Sequence, residues 1–187
     1  MRRQGLLSAS GVLLLGLIVL MTLHEWNDTL PTDEGKIRNA PAIIAQGVTA
    51  RSFNPTDGKL QYYLTADSLT QYDPNPKTLL EKPVLEMPNS NKGGWTIRSH
   101  KGEVRKNGNL IVFMGEVKAD NSMQKVTLNT SNLRYFSKTN QVQAPHAVSL
   151  TFESGTTHAG ALDANLTTGV LTLSKGVKSE FKAPPGS

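Results

Sequence analysis

Apolar residues recur at every second position, in short bursts, along most of this sequence. Leu60, Tyr62 and Leu64 form one burst, and Val148 and Leu150 open another. A period of two places side chains on one face of a β-strand. Stretches rich in Asn, Asp, Gly and Pro separate the bursts, as expected for turns, and no window after residue 23 shows a helical period. The pattern predicts an almost entirely antiparallel β domain over residues 43–182.

Residues 6–23 differ from the rest of the chain because they form an uncharged, mostly apolar run, LLSASGVLLLGLIVLMTL. As a helix, these residues span about 27 Å, close to the hydrocarbon thickness of a bilayer. Arg2 and Arg3 precede the run, and acidic residues follow it. Because positive flanks stay in the cytoplasm, we expect a single-pass helix with the rest of the chain exported. Leu6, Leu14 and Leu23 mark its start, middle and end.

This helix sets the predicted organisation of the chain. Residues 1–5 are a cytoplasmic N-terminus, 6–23 the transmembrane helix, 24–42 a polar tether, 43–182 the β domain and 183–187 a C-terminal tail. A cleaved signal peptide is the alternative for the apolar run. It is disfavoured because the exit, MTLHEW, offers no pair of small residues for a signal peptidase.

Four valines follow similar turn-and-strand patterns, at Val84, Val117, Val148 and Val177, with spacings of 33, 31 and 29 residues. A repeat of this length predicts stacked β layers, although evenly spaced turns in any antiparallel protein can produce it by chance. A stack has open ends. The last strand candidate, residues 171–181, is therefore predicted to be an edge strand that recruits a β-rich partner by strand addition. The alternative is that charged side chains prevent such pairing.

Sites for chemistry are scarce in the sequence. The chain has no cysteine, and its net charge of +5 includes no basic run interleaved with aromatics, which disfavours nucleic-acid binding. Four histidines stand apart from other metal-ligating residues: His24, His100, His146 and His158. Glu81 with Glu86, or Glu103 with Glu116, could form a glycosidase-like pair, but no aromatic sugar platform surrounds them. We expect no enzyme activity, no metal and no cofactor.

The apolar faces of such a stack have two possible uses. They can meet and fill a core, or they can stand apart and form a trough that accepts acyl chains. Periodicity does not distinguish the two, and a filled core is the commoner outcome for a small β domain.

Three stretches of the sequence resemble the LptC family: FNPTDGKLQYYL at 53–64, LLEKPVL at 79–85 and LIVFMGEV at 110–117. The basic N-terminus, single apolar span and polar tether fit the same family, which is the bitopic inner-membrane component of lipopolysaccharide transport. The resemblance implies an all-β twisted-boat β-jellyroll of stacked antiparallel strands, preceded by one transmembrane helix. It also implies an open interior that holds the acyl chains of lipopolysaccharide.

The resemblance further implies partners. Lipopolysaccharide would arrive from the inner-membrane ABC transporter LptB2FG. The transmembrane helix and the N-terminal edge would lie against this transporter, and the helix would modulate it. The cargo would pass to the soluble bridge protein LptA at the C-terminal edge. The bulk of the chain would be periplasmic. A membrane-anchored assembly scaffold, or a glycan-binding protein without a lipid conduit, is the alternative function.

Strand alternation matched to the family's pattern gives the candidate site residues. The inward, lipid-binding candidates are Val48, Phe53, Leu64, Leu80, Leu85, Ile97, Met114, Leu128, Leu150, Leu173 and Phe181. The candidates for the LptA-pairing edge are Val170, Leu171, Thr172, Leu173 and Val177. A slip of one residue would invert the face assignment of a whole strand.

Overall fold

The computed structural model describes residues 41–72, 77–88 and 93–182, and this part of the chain is all β apart from one short 3-10 turn, Lys106–Gly108. The strands are β1 Pro41–Phe53, β2 Leu60–Tyr72, β3 Thr78–Glu81, β4 Val84–Met87, β5 Trp95–Arg98, β6 Lys101–Arg105, β7 Leu110–Asn121, β8 Val126–Phe136, β9 Gln141–Ala144, β10 Val148–Phe152, β11 Gly155–Ala159, β12 Ala161–Asn165, β13 Val170–Ser174 and β14 Lys178–Phe181. Strand β1 begins at Pro41, inside the predicted tether. The predicted transmembrane helix, with Leu6, Leu14 and Leu23, lies outside the described residues. Among the described residues, no helix has the length and apolarity needed to span a membrane.

The strands form one continuous antiparallel sheet that divides into two half-sheets. The first half-sheet contains β4, β5, β10, β11 and β14, and the second contains β3, β6, β9, β12 and β13. The long strands β2, β7 and β8 run through both half-sheets, because each pairs with first-half-sheet strands along one part and with second-half-sheet strands along the other. The all-β expectation is confirmed, and the arrangement is consistent with a jellyroll-like fold.

Strand register brings the apolar side chains of each half-sheet into cross-strand rows. One row crosses six strands of the first half-sheet: Leu64, Leu85, Ile97, Ala119, Leu128 and Leu150. The matching row in the second half-sheet is Leu69, Leu80, Gly102, Phe113 and Leu133. Such directly opposed pairs are the unit of sheet stabilisation. Most of these residues belong to a single buried cluster, so the two half-sheets face one another across a common core.

A corner line separates the half-sheets, and backbone irregularities mark it on several strands. Lys82, Gly115 and Glu116 have φ of 46°, 76° and 48°, and the register of β7 against β8 shifts between Met114 and Val117. The backbone stays hydrogen-bonded here, because Lys82 N–H donates to His100 O (2.8 Å) and His100 N–H donates to Gly115 O (3.0 Å). Bulges of this kind bend a strand without ending its pairing.

The valine repeat corresponds to successive passes of the chain over this corner. Val84 begins β4, Val148 begins β10, and Val117 is the first paired residue after the bulge in β7. Val177 directly precedes β14. The repeat is therefore structural and does not arise from chance spacing.

The same corner divides the predicted last strand. The sequence pattern predicts one strand over residues 171–181, but the chain bends at Lys175 and Gly176, whose φ values are 63° and 79°. Strand β13 pairs with β12 in the second half-sheet, and β14 pairs with β11 in the first. The C-terminal end of the described sheet thus has two edge strands, and β1, which pairs with β2, is the edge at the other end.

Candidate functional site

A cavity of about 790 Å³ opens between the half-sheets, on the side away from the corner line. Nearer the corner the core is filled, since Leu85, Ile97 and Phe113 are almost completely buried. The cavity begins near the outer ends of the strands, which are the ends farthest from the corner line. We call it the mouth cavity.

The walls of the mouth cavity are mostly apolar and come from both half-sheets. The first half-sheet contributes Met87, Trp95, Val126, Leu150 and Phe152. The second half-sheet contributes Tyr135, Ala164, Leu166 and Leu171. Trp95, Val126, Phe152, Ala164 and Leu166 are partly buried and pack against the main core, so the cavity is continuous with the apolar interior. Pockets of this size and lining are typical of small-molecule sites.

Neutral polar side chains surround the opening of the mouth cavity. We call these residues the amide rim: Gln61, Gln124, Asn140, Asn165 and Thr167. Asp57 and Lys59 also line the cavity, and they form an ion pair with 3.7 Å between Lys59 Nζ and Asp57 Oδ2. The described lining therefore carries no net charge.

One side of the opening is held by hydrogen bonds between the half-sheets. Gln61 Nε2 on β2 donates to Ser137 O (2.6 Å) and to Asn140 Oδ1 (3.3 Å) in the β8–β9 turn. Tyr135 OH donates to the same Asn140 Oδ1 (3.0 Å). Burial, with a smaller effect of Tyr62, raises the pKa of the Tyr135 hydroxyl, so it remains a neutral donor. These bonds fix the position of the rim at this point.

Stacked turns build the rest of the rim. Asn165 Oδ1 accepts hydrogen bonds from the backbone N–H groups of Thr167 and Thr168, both at 3.0 Å. Asn140 adopts a φ of 50°, and its backbone O accepts from Leu166 N–H (2.8 Å). Asparagine suits both positions because its side chain bonds nearby backbone and it tolerates the left-handed region. One turn is thereby hydrogen-bonded to the next.

The structure buries six of the predicted inward residues: Leu64, Leu80, Leu85, Ile97, Leu128 and Leu150. All six belong to the main core cluster, and Val48 and Leu173 are partly buried against it. Of these residues, Leu150 also lines the mouth cavity. Their lipid-binding role stays a prediction, while their inward orientation agrees with the register.

Three predicted inward residues are placed differently. Phe53 and Phe181 are 57% and 76% exposed, because each lies at the end of an edge strand with no strand beyond it. Met114 pairs with Lys101 and Asn132 and does not belong to the core cluster.

The error at Met114 has a physical reason. In this part of β7 both faces are apolar, since Leu110 and Val112 are buried as well as Ile111 and Phe113. Alternation therefore could not select the inward set. Register selects Ile111 and Phe113, whose partners Tyr135 and Leu133 are core residues.

Sequence reasoning missed four apolar residues that line the mouth cavity, namely Trp95, Val126, Phe152 and Leu166. A signal existed for two of them. Val126 alternates with Leu128, and Phe152 alternates with Leu150, so each shares the face of a predicted inward residue. Alternation predicts the face on which a side chain lies, but it does not predict that the two walls separate at the outer ends of the strands.

The predicted partner edge is exposed along much of its length. Val170, Leu171 and Val177 are 60%, 43% and 49% exposed, and Thr172 is exposed too. Leu173 is partly buried and pairs with Leu162. These residues are distributed over β13 and the corner before β14, as a result of the bend described above.

Comparison with known proteins adds the family. The family model described as "Lipopolysaccharide-assembly, LptC-related" matches residues 11–182. The chain belongs to the LptC family. Membership supports a role in lipopolysaccharide transport, and the family comprises components of a transport bridge that are not known as enzymes.

A solved structure supports the fold. The crystal structure of LptH from Pseudomonas aeruginosa, the LptA homologous periplasmic component of the lipopolysaccharide transport device, matches with a TM-score of 0.50 and 11% identity. The match covers 66% of this LptC-family chain and 95% of that chain. At this identity the likeness concerns fold alone. None of the curated proteins compared with the sequence matches it.

Proposed function

We propose that this LptC-family protein receives lipopolysaccharide from the inner-membrane ABC transporter and passes it through an apolar groove to LptA. The observation that carries the proposal is the mouth cavity, an open space of about 790 Å³ with apolar walls from two facing half-sheets. A filled sandwich would leave acyl chains no room. Here the corner side is packed for stability and the mouth side is open.

A groove of this kind answers the energetic requirement of acyl-chain transport. Each CH₂ group returned to water costs about 0.8 kcal/mol, so several long chains must stay covered throughout their passage. Walls such as Trp95, Val126 and Phe152 provide that cover without a deep, closed pocket. Because cargo must also leave, several moderate contacts serve transfer better than one dominant contact.

The sheet edges provide the proposed docking sites. Strand β1 at one end would lie against the transporter, and β13 and β14 at the other end would pair with LptA. Each of these strands has one neighbour among the described strands, which leaves a row of backbone groups available for strand addition. Exposed apolar side chains, among them Ile43 and Ile44 on β1 and Val170 on β13, accompany these edges.

The proposed location follows from the sequence and the family together. Residues 6–23 would cross the inner membrane once and modulate the transporter, with the N-terminus cytoplasmic and the β domain in the periplasm. The apolar run and its basic flank support this topology.

Neighbouring residues on β10 provide a matched test of the lipid groove. A photo-crosslinking amino acid at Phe152 should capture lipopolysaccharide in cells, because Phe152 lines the mouth cavity. The same amino acid at Thr151, which is exposed and does not line that cavity, should capture none. Equal capture at both positions would contradict the proposal. Capture of protein alone at Phe152 would favour an assembly scaffold.

A further inference from the structure

The amide rim has a chemistry distinct from that of the apolar walls below it. We propose that the rim binds the uncharged, hydroxyl-bearing sugar of a glycolipid headgroup, while charged phosphates stay outside. This inference rests on the proposed function, because it assigns part of the same cargo to a second set of contacts. It goes further by naming which part of the headgroup the protein recognises.

The composition of the rim supports recognition of hydroxyl groups. Hydrogen bonds within the protein occupy both Gln61 groups, Asn140 Oδ1 and Asn165 Oδ1. Gln124 Nε2, Asn165 Nδ2 and the hydroxyl of Thr167 can still donate to a ligand at the rim. Sugar hydroxyl oxygens accept hydrogen bonds, so they match these neutral donors without any charge. Trp95, which is only partly buried, lines the same cavity and offers a ring surface against which a sugar can pack.

The charge of the lining argues against phosphate binding. Phosphate is usually recognised by Arg or Lys, often through charge-assisted hydrogen bonds. Among the described residues that line the cavity, the cation is Lys59, and Asp57 already pairs with it. A dianionic group brought to this rim would lose water and gain no unpaired cation.

The position of the rim relative to the walls fits an amphiphile. Phe152 and Leu166 are apolar residues that line the cavity, and Asn165 and Thr167, which flank Leu166 in sequence, line it with polar side chains. Apolar and hydrogen-bonding surfaces therefore meet within a few residues. A molecule with an acyl chain next to an uncharged polar group satisfies both surfaces at once.

Lipid binding by the full-length protein in detergent tests the inference. The probes are bisphosphorylated lipid A, the same lipid A with its phosphates removed, and cardiolipin, which has acyl chains and phosphates but no sugar. Removal of the phosphates should change the affinity by less than about three-fold relative to bisphosphorylated lipid A. This change is well below a ten-fold change, which corresponds to ~1.4 kcal/mol. Raising the salt concentration from about 0.1 M to about 1 M should have a similarly small effect, although it shortens the Debye length from about 10 Å to about 3 Å.

A rim variant separates sugar contacts from acyl-chain contacts. The double variant Gln124→Leu with Thr167→Val removes two hydrogen-bonding groups at nearly constant size and should weaken binding of both lipid A forms about ten-fold. Cardiolipin binding should not change. The control pair Gln46→Leu with Thr151→Val makes the same changes at two positions that do not line the cavity and should leave all three affinities unchanged.

The outcomes distinguish the rim inference from the proposed function. Affinity that falls on phosphate removal or falls steeply with salt would overturn the uncharged-sugar assignment while leaving the groove in place. Equal weakening of cardiolipin by the rim variant would overturn it too, because the rim would then support the acyl chains. Failure of all three lipids to bind would overturn both the inference and the proposed function.

Discussion

The ring of Tyr62 on β2 meets the ring of Tyr135 on β8 edge to face, with centroids 6.0 Å apart and an interplanar angle of 87°. Both rings are buried, and their strands contribute them from opposite half-sheets. The pair lies beside the hydrogen bonds that Gln61 and Tyr135 make to Asn140. It therefore joins the two walls at one side of the mouth cavity.

The first prediction concerns the coupling between these rings. Edge-to-face aromatic pairs contribute about 0.5–1.5 kcal/mol beyond the area they bury. In a double-mutant cycle with Tyr62→Leu and Tyr135→Leu, urea denaturation should give a coupling energy in that range. Additive effects within about 0.3 kcal/mol would show that the rings do not stabilise one another.

The second prediction separates the Tyr135 hydroxyl from its ring. Tyr135→Phe keeps the ring contact and removes the hydrogen bond to Asn140, so the free energy of unfolding should fall by about 1 kcal/mol. Tyr63→Phe is a suitable control, because Tyr63 lies on the same strand as Tyr62 but is only half-buried. A variant as stable as the parent would indicate that the hydroxyl contributes nothing to the closure of the mouth.

The third prediction concerns acid stability. The hydrogen bond from Arg105, with its charge and that of Lys77, lowers the pKa of Glu103 despite an opposing effect of burial. The folded-state pKa thus lies below the unfolded value of about 4.3. The stabilisation is present above that value and is lost as the pH falls through the folded-state pKa.

Glu103→Gln should remove this pH dependence. Urea denaturation from neutral pH to about pH 3, below the unfolded pKa of about 4.3, should show the parent losing stability more steeply than the variant. Glu86→Gln, which neutralises an exposed carboxylate on β4, should keep the slope of the parent. A parent and a Glu103→Gln variant with parallel acid profiles would contradict the assigned cause.

The fourth prediction concerns the C-terminal edge. Gly155 on β11 has a φ of 155°, and a Cβ built there would lie 2.0 Å from the backbone O of Glu180 on β14. Gly155→Ala should therefore displace β14 and lower its local opening free energy by about 1–3 kcal/mol. Hydrogen exchange measures this directly for the amides of β14.

The matched control for that variant is its neighbour. Ser154→Ala changes an exposed side chain at the same turn and should leave exchange unchanged on β14. If β14 is the LptA-pairing edge, Gly155→Ala should also weaken LptA capture. Unaltered protection of β14 in Gly155→Ala would show that the strand accommodates the added methyl group.

The sequence was sufficient for most of the strands and for the inward face of most of them, but not for the bend that separates β13 from β14. Leu64, Leu85, Leu128 and Leu150 follow from alternation, because each lies on a strand with one apolar face. Met114 did not, because both faces of β7 are apolar there and only pairing with β6 and β8 selects one.

The mouth cavity could not be predicted because it depends on long-range geometry. Alternation places Phe152 on the same face as Leu150, yet Leu150 is fully buried and Phe152 only partly so. The difference arises from the separation of the half-sheets at their outer ends. The polar rim likewise depends on turns 26 residues or more apart in sequence, such as those of Asn140 and Leu166, being hydrogen-bonded to one another.

Fluorescence quenching of Trp95 by bromine-bearing acyl chains tests the lipid groove most directly. The chain has two tryptophans, so Trp26→Phe leaves Trp95, which lines the mouth cavity, as the single reporter. Lipopolysaccharide with brominated acyl chains should quench its fluorescence, and the unbrominated molecule should not, because the bromine atoms would contact the indole inside the groove. Binding of the brominated lipid with no quenching of Trp95 would place the acyl chains elsewhere and contradict the account.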